Sequence, residues 1–226
     1  MKKAIIIGAG IIGLSISYYL KKNNFDIIVL EKSKAGEEAS YASAGMLAAQ
    51  SEFDFYEKFM DFCIKSRDMY ADFCKDIENA SGINVELQKC GMIRPALNEG
   101  HELHFKQNYK WQKKHGFEIE FLNGRELRKI ESKLSENIVS GLYTKNDGQV
   151  NNRKLMEALI ISNKKNNVKI IENCEVKDYL IKNNKINGVK TNNGTLNADI
   201  VVNAAGSWSS LISQELIPNF KVKPIR

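Results

Sequence analysis

Residues 4–13 read Ala-Ile-Ile-Ile-Gly-Ala-Gly-Ile-Ile-Gly, and this stretch decides the fold. Residues 4–7 form a continuous apolar run, which is typical of a strand buried on both faces of a parallel sheet. The glycines follow at once in Gly-x-Gly-x-x-Gly spacing. A second apolar run, residues 27–30, ends in Glu31. The order of strand, glycine turn, helix, strand and acid predicts a dinucleotide-binding β-α-β unit.

Each part of this unit has a physical task. Gly8 permits the tight turn out of the strand, and Gly10 lets a pyrophosphate approach the backbone. Gly13 lets the helix pack closely on the strand. The helix N-terminus favours an anion, and Glu31 can accept hydrogen bonds from a ribose diol while repelling a 2′-phosphate. The motif does not distinguish FAD from NAD.

Composition places the chain among globular proteins. Its 226 residues are 43% hydrophobic and 27% charged, enough for one large or two small domains. No stretch approaches the roughly 20 apolar residues of a membrane span, and the break at Gly8 excludes a signal peptide. The net charge of +6 comes from lysines scattered among asparagines, which indicates solvated surface and no nucleic-acid partner. Four widely spaced cysteines favour reduced thiols and a cytoplasmic location.

Apolar periodicity predicts the first helices. In the helix after the glycine turn, we expect one buried stripe, formed by Ile12, Ile16, Tyr19 and Leu20. Residues 37–50 are dense in Ala, Ser and Gly, which favours a loop that lines a cofactor. Residues 52–80 predict a long helix, and its apolar stripe is expected to be core. That stripe contains Phe55, Phe59, Phe62, Met69, Phe73 and Ile77.

The remaining pattern alternates helices with short strands. Residues 85–96 predict a hairpin with its turn at Cys90-Gly91, and Asn123 is expected to cap a helix that ends at Ile130. Asn-Gly turns at positions 187–188 and 193–194 predict an antiparallel meander that returns to the main sheet. Further elements are expected at residues 99–115, 117–122, 138–144, 153–164, 168–171, 175–181, 186–191, 195–196, 200–202 and 211–216, with an extended segment at 222–226. His101 and His104 have metal-ligand spacing but no third ligand cluster, so no metal site is predicted.

Three blocks together resemble one family. The opening unit, the Ala-Gly-Met-Leu run at 44–47 and the run Val-Asn-Ala-Ala-Gly-Ser-Trp at 202–208 resemble the D-amino-acid oxidase superfamily of FAD enzymes. Within it, the chain is most similar to the glycine-oxidase branch of thiamine biosynthesis. Asp147-Gly148-Gln149-Val150 before a helix also fits, although Asn151 and Asn152 stand where that family often has an acid and a proline. The resemblance spans all 226 residues.

The resemblance implies a set of FAD contacts. Ile11 and Ile12 would lie in the pyrophosphate turn, Glu31 and Lys32 would face the adenosine ribose, and Ala39 and Ser40 would open the small-residue loop. The implied cofactor-binding set is Gly8, Gly10, Ile11, Ile12, Gly13, Glu31, Lys32, Ala39, Ser40, Ala44, Gly45, Met46, Val176, Gly206 and Trp208. In this set, residues 44–46 would approach the isoalloxazine, with Met46 as a wall of the active site. Val176 would give its backbone to adenine.

The implied fold is α/β: a Rossmann-like FAD-binding domain with part of an antiparallel-sheet substrate domain, truncated relative to the family. The expected bounds are 1–83 and 145–219 for the FAD-binding domain, and 84–144 with 220–226 for the partial substrate domain. The implied chemistry is oxidation of a small amino acid or amine to an imine and then an oxo acid, with release of ammonia and with dioxygen as electron acceptor. Substrate-binding arginines are expected beyond Arg226, so no catalytic residue is assigned and weak FAD binding without turnover is expected.

The sequence is also compatible with other functions. A dehydrogenase of D-amino acids, sarcosine or a hydroxy acid would use another electron acceptor. A noncatalytic FAD-binding fragment would bind flavin without turnover, and an NAD-dependent dehydrogenase is disfavoured by the Ala-Gly-Met block. A homo-oligomer is compatible with all of them.

Overall fold

The computed structural model describes residues 1–222, so most of the predicted extended segment at 222–226 lies outside the described residues. The chain folds as two compact units. The first comprises Met1–Ala44, Asp76–Val85 and Asn152–Arg226, and the second comprises Gly45–Lys75 and Glu86–Asn151. The parallel and antiparallel sheets described below confirm the predicted α/β class with an antiparallel part.

The helices and strands follow one another in this order. The strands are β1 (Lys3–Ile7), β2 (Asp26–Leu30), β3 (Met46–Leu47), β4 (Met92–Ala96), β5 (Glu120–Asn123), β6 (Ser140–Thr144), β7 (Gly148–Gln149), β8 (Lys169–Ile171), β9 (Val176–Lys182), β10 (Lys185–Thr191), β11 (Gly194–Asn197) and β12 (Ile200–Asn203). The helices are α1 (Ile11–Lys22), α2 (Ala39–Ala42), α3 (Lys58–Ser81), α4 (Glu99–Lys114), α5 (Gly124–Ile130), α6 (Asn152–Lys165) and α7 (Ser209–Ser213), with a 3-10 turn at Gly206–Trp208.

The first unit is built on a parallel sheet with strand order β12-β1-β2-β8. Ile5 lies opposite Ile28 on one side and Val201 on the other. Residues 4–7 and 27–30 are buried, which explains why the central strands are continuous apolar runs. The edge strand β12 is only partly buried. The prediction at 200–202 is therefore right about the strand and wrong about its burial.

The buried face of α1 differs from the predicted stripe. Ile12 and Tyr19 are 62% and 39% exposed, and the buried residues are Gly13, Leu14, Ser17 and Tyr18. The reason is the close approach at Gly13, where an added Cβ would lie 1.9 Å from the carbonyl oxygen of Gly8. That contact sets which face of the helix meets the sheet. Counting apolar side chains misses it, because the decisive residue has no side chain.

The meander β11-β10-β9 is antiparallel, as predicted. One of its turns was predicted wrongly. Asn183 and Asn184, both with positive φ, connect β9 to β10, whereas Asn187 and Gly188 lie inside β10 at a register irregularity. The second predicted turn is confirmed, since Gly194 has a φ of 114° where β11 begins. The strand at Lys169–Ile171 pairs parallel to β2 and so belongs to the main sheet.

The second unit contains the antiparallel sheet β4-β6-β5 and the two-stranded ladder β3-β7. Its core includes Ala96, Phe105, Ile119 and Leu142. The predicted hairpin at 85–96 is wrong, because β4 pairs with β6 instead. Residues 85–88 do not form a strand: Glu86 has a φ of 55°, which interrupts an extended run, and Gln88 makes an isolated bridge to Gln149. The predicted cap of α5 at Asn123 is present, and Glu126 completes it as a capping box.

The long helix α3 begins at Lys58, six residues later than predicted from residue 52. Phe73 and Ile77 near its end are buried, as expected. Phe55 lies before the helix and is 68% exposed. Phe59 and Phe62, within its first turns, are 60% and 67% exposed, and Met69 is 52% exposed. The prediction that these four side chains are core is therefore wrong. Helical spacing shows that side chains share a face, but it does not show what covers that face.

The helices, thiols and possible metal ligands of the described residues add three observations. No helix in this part of the chain is long and apolar enough to cross a membrane. None of the four cysteines, all of which lie within the described residues, forms a disulfide, and Cys74 and Cys174 are buried. Among residues 1–222, no cluster of His, Cys, Asp or Glu could hold a metal ion.

Candidate cofactor site

The first unit contains a cavity of about 430 Å³ where β1, β2 and β12 end. Eleven of the fifteen residues predicted to bind the cofactor line it: Gly8, Gly10, Ile11, Ile12, Glu31, Lys32, Ala39, Ser40, Val176, Gly206 and Trp208. The carboxyl ends of parallel strands meet at one edge of a sheet, which is where open α/β sheets bind ligands. Segments that lie far apart in the sequence are therefore brought together here.

The glycine turn requires glycine for steric reasons. Gly8 has a φ of 101°, and an added Cβ would lie 2.5 Å from the carbonyl oxygen of Ala204. At Gly10 an added Cβ would lie 3.1 Å from the hydroxyl of Ser40. The backbone at Gly8 and Gly10 is thus exposed to the cavity without side chains in front of it, which suits close approach by a pyrophosphate.

Ser40, which lies in a distant segment of the chain, accepts a hydrogen bond from the N-terminus of α1. The N-cap residue Gly10 has no side chain to cap the helix, and the N–H of Ile11 instead donates to Oγ of Ser40 at 2.9 Å. The first N–H groups of a helix have no partner within the helix. Ser40 therefore brings a hydroxyl to the position where a helix N-terminus would hold an anion.

Glu31 is held rigidly at the end of β2. Its Oε2 accepts a hydrogen bond from the N–H of Ala9 at 2.8 Å, and its Oε1 accepts one from the N–H of Ser33 at 3.0 Å. The residue is 7% exposed. Oε1 also accepts a hydrogen bond from the Ser33 hydroxyl at 3.3 Å, so it is Oε2 that keeps a further lone pair. Through Oε2 the carboxylate can thus still accept a hydrogen bond from a ligand hydroxyl group.

Trp208 and Lys32 form another wall. The ammonium of Lys32 lies 3.1 Å from the centroid of the Trp208 ring, a cation–π contact. Lys32 also approaches Glu38 at 3.8 Å. Trp208 ends the 3-10 turn that follows β12. The indole and the ammonium are therefore fixed next to each other at the edge of the cavity.

The amide of Asn203 orders the turn that carries Trp208. Its Nδ2 donates to the carbonyl of Ser209 at 2.9 Å and to Oγ of Ser213 at 2.8 Å. Its Oδ1 accepts from the N–H of Ala205 at 3.2 Å. The hydroxyl of Ser213 also meets the Tyr179 hydroxyl at 3.1 Å. This network links β12, α7 and β9 behind the cavity.

Sequence reasoning missed several lining residues. These are Ile7, Leu30, Glu38, Cys174, Glu175, Lys177, Ala204, Ala205, Ser207, Leu211 and Ile212. Most of them are neighbours of predicted residues, so a wider window at each strand end would have found them. Leu211 and Ile212 carry no such signal, because their place depends on how α7 folds back.

Four predicted residues do not line the cavity. Gly13 is buried against the strand, where its role is packing. Ala44 is an exposed residue at the end of a segment of the first unit. Gly45 and Met46 belong to the second unit, where β3 pairs with β7 and Met46 is 57% exposed. Their predicted approach to the isoalloxazine stays a prediction.

These features fit the adenosine and pyrophosphate of a dinucleotide. The cavity volume lies within the usual range of about 300–1,000 Å³ for ligand sites. A buried carboxylate, a turn that excludes side chains and a helix N-terminus converge on it. The fold and the site thus define an α/β protein of the dinucleotide-binding class.

Comparison with known proteins identifies the family within this dinucleotide-binding class. The family model "DAO: FAD dependent oxidoreductase" matches residues 3–226. Glycine oxidase from Geobacillus kaustophilus is 28% identical over 98% of this chain, and the bifunctional protein ThiO/ThiG from Synechocystis is 32% identical over 95%. The structure of glycine oxidase from Bacillus cereus superposes with a TM-score of 0.91 at 30% identity over 99% of this chain. The chain belongs to the DAO family of FAD-dependent oxidoreductases.

The chain is shorter than these relatives. It spans 59% of the Geobacillus glycine oxidase, 30% of the Synechocystis bifunctional protein and 60% of the Bacillus cereus structure. FAD is the cofactor of the family to which the chain belongs. The activity of those longer proteins can be carried over to this chain only as a proposal.

Proposed function

We propose that this chain is the FAD-binding part of an oxidase of glycine or another small amine. The observation that carries the proposal is the Glu31 carboxylate, which is held beside the glycine turn at the cavity. The similarity to glycine oxidases along nearly the whole chain supports the substrate class. On this proposal, residues 1–83 and 145–219 form the FAD-binding domain, and residues 84–144 with 220–226 form part of a substrate domain. We also propose that the protein is located in the reducing cytoplasm.

The residues of the cavity have defined tasks on this proposal. Glu31 accepts a hydrogen bond from the adenosine ribose, and the N-terminus of α1, with Ile11, Ile12 and Ser40, holds the pyrophosphate. Val176 offers its backbone to adenine. Lys32 and Trp208 cover the site from the side of β12. These residues bind and orient the cofactor, and none of them transfers a proton.

When bound, FAD would supply the redox chemistry that converts an amine into an imine. Hydrolysis of the imine would give an oxo acid and ammonia, and the two electrons removed from the amine would reduce dioxygen to hydrogen peroxide. The side chains that bind the substrate carboxylate are not assigned in this chain. Residues 44–46 are proposed to border the reacting part of the cofactor, with Met46 as a wall.

An FAD titration tests the cofactor assignment. Flavin fluorescence is followed while the full chain is added, with NAD as the competing ligand. We expect FAD to bind and NAD not to displace it. The variant Glu31→Ala should bind FAD more weakly, because it lacks the carboxylate. If the wild-type chain binds no FAD, or if NAD displaces it, the proposal is wrong.

A second assay tests the reaction. Glycine, sarcosine and D-alanine are added to the FAD-loaded chain under air, and peroxide and ammonia are measured. The same substrates are then tested without dioxygen and with an artificial electron acceptor. Peroxide formation supports an oxidase, and turnover with the artificial acceptor alone indicates a dehydrogenase. Bound FAD with neither product indicates a chain that holds the cofactor without turnover.

A further inference from the structure

The short helix α2, Ala39–Ala42, is held in place without apolar packing. None of its residues is buried, and no side chain caps its N-terminus. Two of its residues, Ala39 and Ser40, line the cavity. Helices this short are not stable by themselves. Contacts with other elements must therefore keep this segment ordered.

The first residues of α6 supply those contacts. The side-chain amide of Asn152 donates to the carbonyl oxygens of Ser40 and Tyr41, both at 2.9 Å. The guanidinium of the next residue, Arg153, lies 4.3 Å from the centroid of the Tyr41 ring. Both hydrogens of one NH2 group are thus used to hold two consecutive carbonyl groups.

The helix α6 is itself firmly fixed to α1. Its Asn163 accepts a hydrogen bond from Ser17 at 2.6 Å and donates to the carbonyl of Leu14 at 3.0 Å, all within the buried core. Asn152 thus projects from a rigid support. The segment it holds has few other restraints: the Ser43 hydroxyl donates to the same Ser40 carbonyl at 3.1 Å from within the segment, and Lys32 and Ser33 approach Glu38 at 3.8 and 3.5 Å.

The contact made by Asn152 reaches the cofactor cavity through Ser40. The carbonyl of Ser40 accepts from Asn152, while its hydroxyl accepts from the N–H of Ile11 at the start of α1. If the carbonyl were released, the hydroxyl would lose its fixed position at the helix N-terminus. We propose that Asn152 is a positioning residue that holds α2 over the pyrophosphate-binding end of the cavity. We call its two hydrogen bonds to Ser40 and Tyr41 the latch.

This proposal rests on the proposed FAD site, and it adds a residue that does not line the cavity. The effect on the cofactor is indirect. It should therefore appear in the dynamics of residues 39–42 before any cofactor is added.

The variant Asn152→Asp removes the NH2 group with little change in shape. Asp is favourable in the first turn of a helix, so α6 should stay folded. The matched control is Asn151→Asp, which adds the same charge one residue away, where the amide donates to Glu86 Oε2 at 2.8 Å. Charge repulsion of an anionic cofactor is about equal in the two variants, so a difference between them reports the latch.

Two measurements are made on the full chain. Hydrogen exchange of residues 38–43 is followed without cofactor, and the Kd for FAD is measured by flavin fluorescence. For Asn152→Asp we expect faster exchange of this segment and a Kd about tenfold higher, since two hydrogen bonds are lost. Asn151→Asp should change the Kd less than about threefold. Asn152→Ala should behave like Asn152→Asp, with no added charge.

The outcomes separate this proposal from the proposed function. If the wild-type chain binds FAD and Asn152→Asp shows wild-type exchange and Kd, the latch is refuted while the FAD site stands. Equal losses in both Asp variants would also refute it, because charge alone would then explain them. A wild-type chain that does not bind FAD refutes the proposed function, and the exchange measurement still decides whether Asn152 orders α2.

Discussion

The carboxylate of Glu31 and the backbone N–H of Ala9 are joined by a buried hydrogen bond of 2.8 Å. This bond ties the end of β2 to the turn that follows β1. The same carboxylate accepts from Ser33 on the other side. An acid that the motif associates with a ribose therefore also holds together the two strands between which the ligand would lie.

Replacing Glu31 should thus affect both folding and binding. In Glu31→Gln the side-chain oxygen can satisfy one of the two N–H donors, and the other is left facing an NH2 group. We expect a loss of about 1–3 kcal/mol in the free energy of unfolding, measured with urea. The control is Asp199→Asn, which alters an exposed hydrogen bond to the N–H of Lys3. Equal stability losses for the two variants would contradict this explanation.

Gly13 should tolerate no side chain. In Gly13→Ala the new Cβ would lie 1.9 Å from the Gly8 carbonyl oxygen, so α1 must move away from the sheet. We expect a loss of about 3 kcal/mol in thermal or urea unfolding. Gly100→Ala in α4 is the matched control: its Cβ would lie 3.3 Å from the Asn98 side chain, and alanine is favoured over glycine in helices by about 1 kcal/mol. A wild-type unfolding midpoint for Gly13→Ala would show that α1 packs differently.

Breaking the ion pair Arg67–Asp147 should destabilise the protein more than breaking an exposed ion pair of the second unit. The guanidinium lies 2.8 Å from Asp147, whose side chain is fully buried and also accepts from the N–H of Ser51. Asp147→Ala leaves the buried guanidinium with only the exposed carboxylate of Asp68, at 3.0 Å, and removes the acceptor of the Ser51 N–H. We expect a loss of about 3–5 kcal/mol. Glu102→Ala, which breaks an exposed pair with Lys106, should change stability by less than about 1 kcal/mol.

Denaturant titration of both variants at low and high salt checks this expectation. Salt screens exposed pairs far more than buried ones, so the loss in Asp147→Ala should persist at high salt. A loss that disappears in salt would mean that Asp147 is open to solvent.

Aromatic residues of the α3 stripe that differ in burial should also differ in how much they stabilise the fold. Phe62 is 67% exposed and stacks on Phe59 at 6.0 Å, whereas Phe73 is 9% exposed. Phe73→Ala should cost about 3–5 kcal/mol, and Phe62→Ala about 1 kcal/mol or less. Urea unfolding measures both. If Phe62→Ala proves as costly as Phe73→Ala, the side chain of Phe62 is buried in solution.

Acid should weaken the contacts of Asp54. Burial raises the pKa of its carboxyl, but hydrogen bonds from His104 and Arg94 outweigh this and lower the pKa below 3.8. Because the folded pKa is lowered, the stabilisation is present above pH 3.8 and is lost as the pH falls through the folded pKa. Wild type should therefore lose more stability than Asp54→Asn between pH 5 and pH 3, by a small amount because the side chain is 49% exposed. Parallel pH profiles for the two proteins would contradict this.

Sequence patterns predicted the first strand and the turn that follows it well, because the constraints there are local. The turn at Gly8 needs a positive φ, and the strand before it needs apolar side chains on both faces. Both requirements are visible within ten residues. The capping box at Asn123 was predictable for the same reason, since both of its partners lie within four positions.

Patterns failed where a distant segment decides the outcome. The stripe of α1 was predicted on the wrong face because Gly13 meets Gly8, and the strand β4 pairs with β6 instead of forming a local hairpin. Aromatic spacing likewise could not reveal that Phe59 and Phe62 are exposed. Each of these outcomes depends on which surface is available in the folded chain.

By itself the sequence determined the α/β class, the order of the β-α-β unit and the family, because these depend on local backbone preferences and on motifs. Only the tertiary structure decided that Ser40 caps α1, that Asn152 holds Ser40, and that Glu31 bonds to Ala9. The partners in these contacts are 22 to 112 residues apart in the chain. A hydrogen bond needs its donor and acceptor within about 3 Å, and no local pattern specifies which distant atoms folding brings that close.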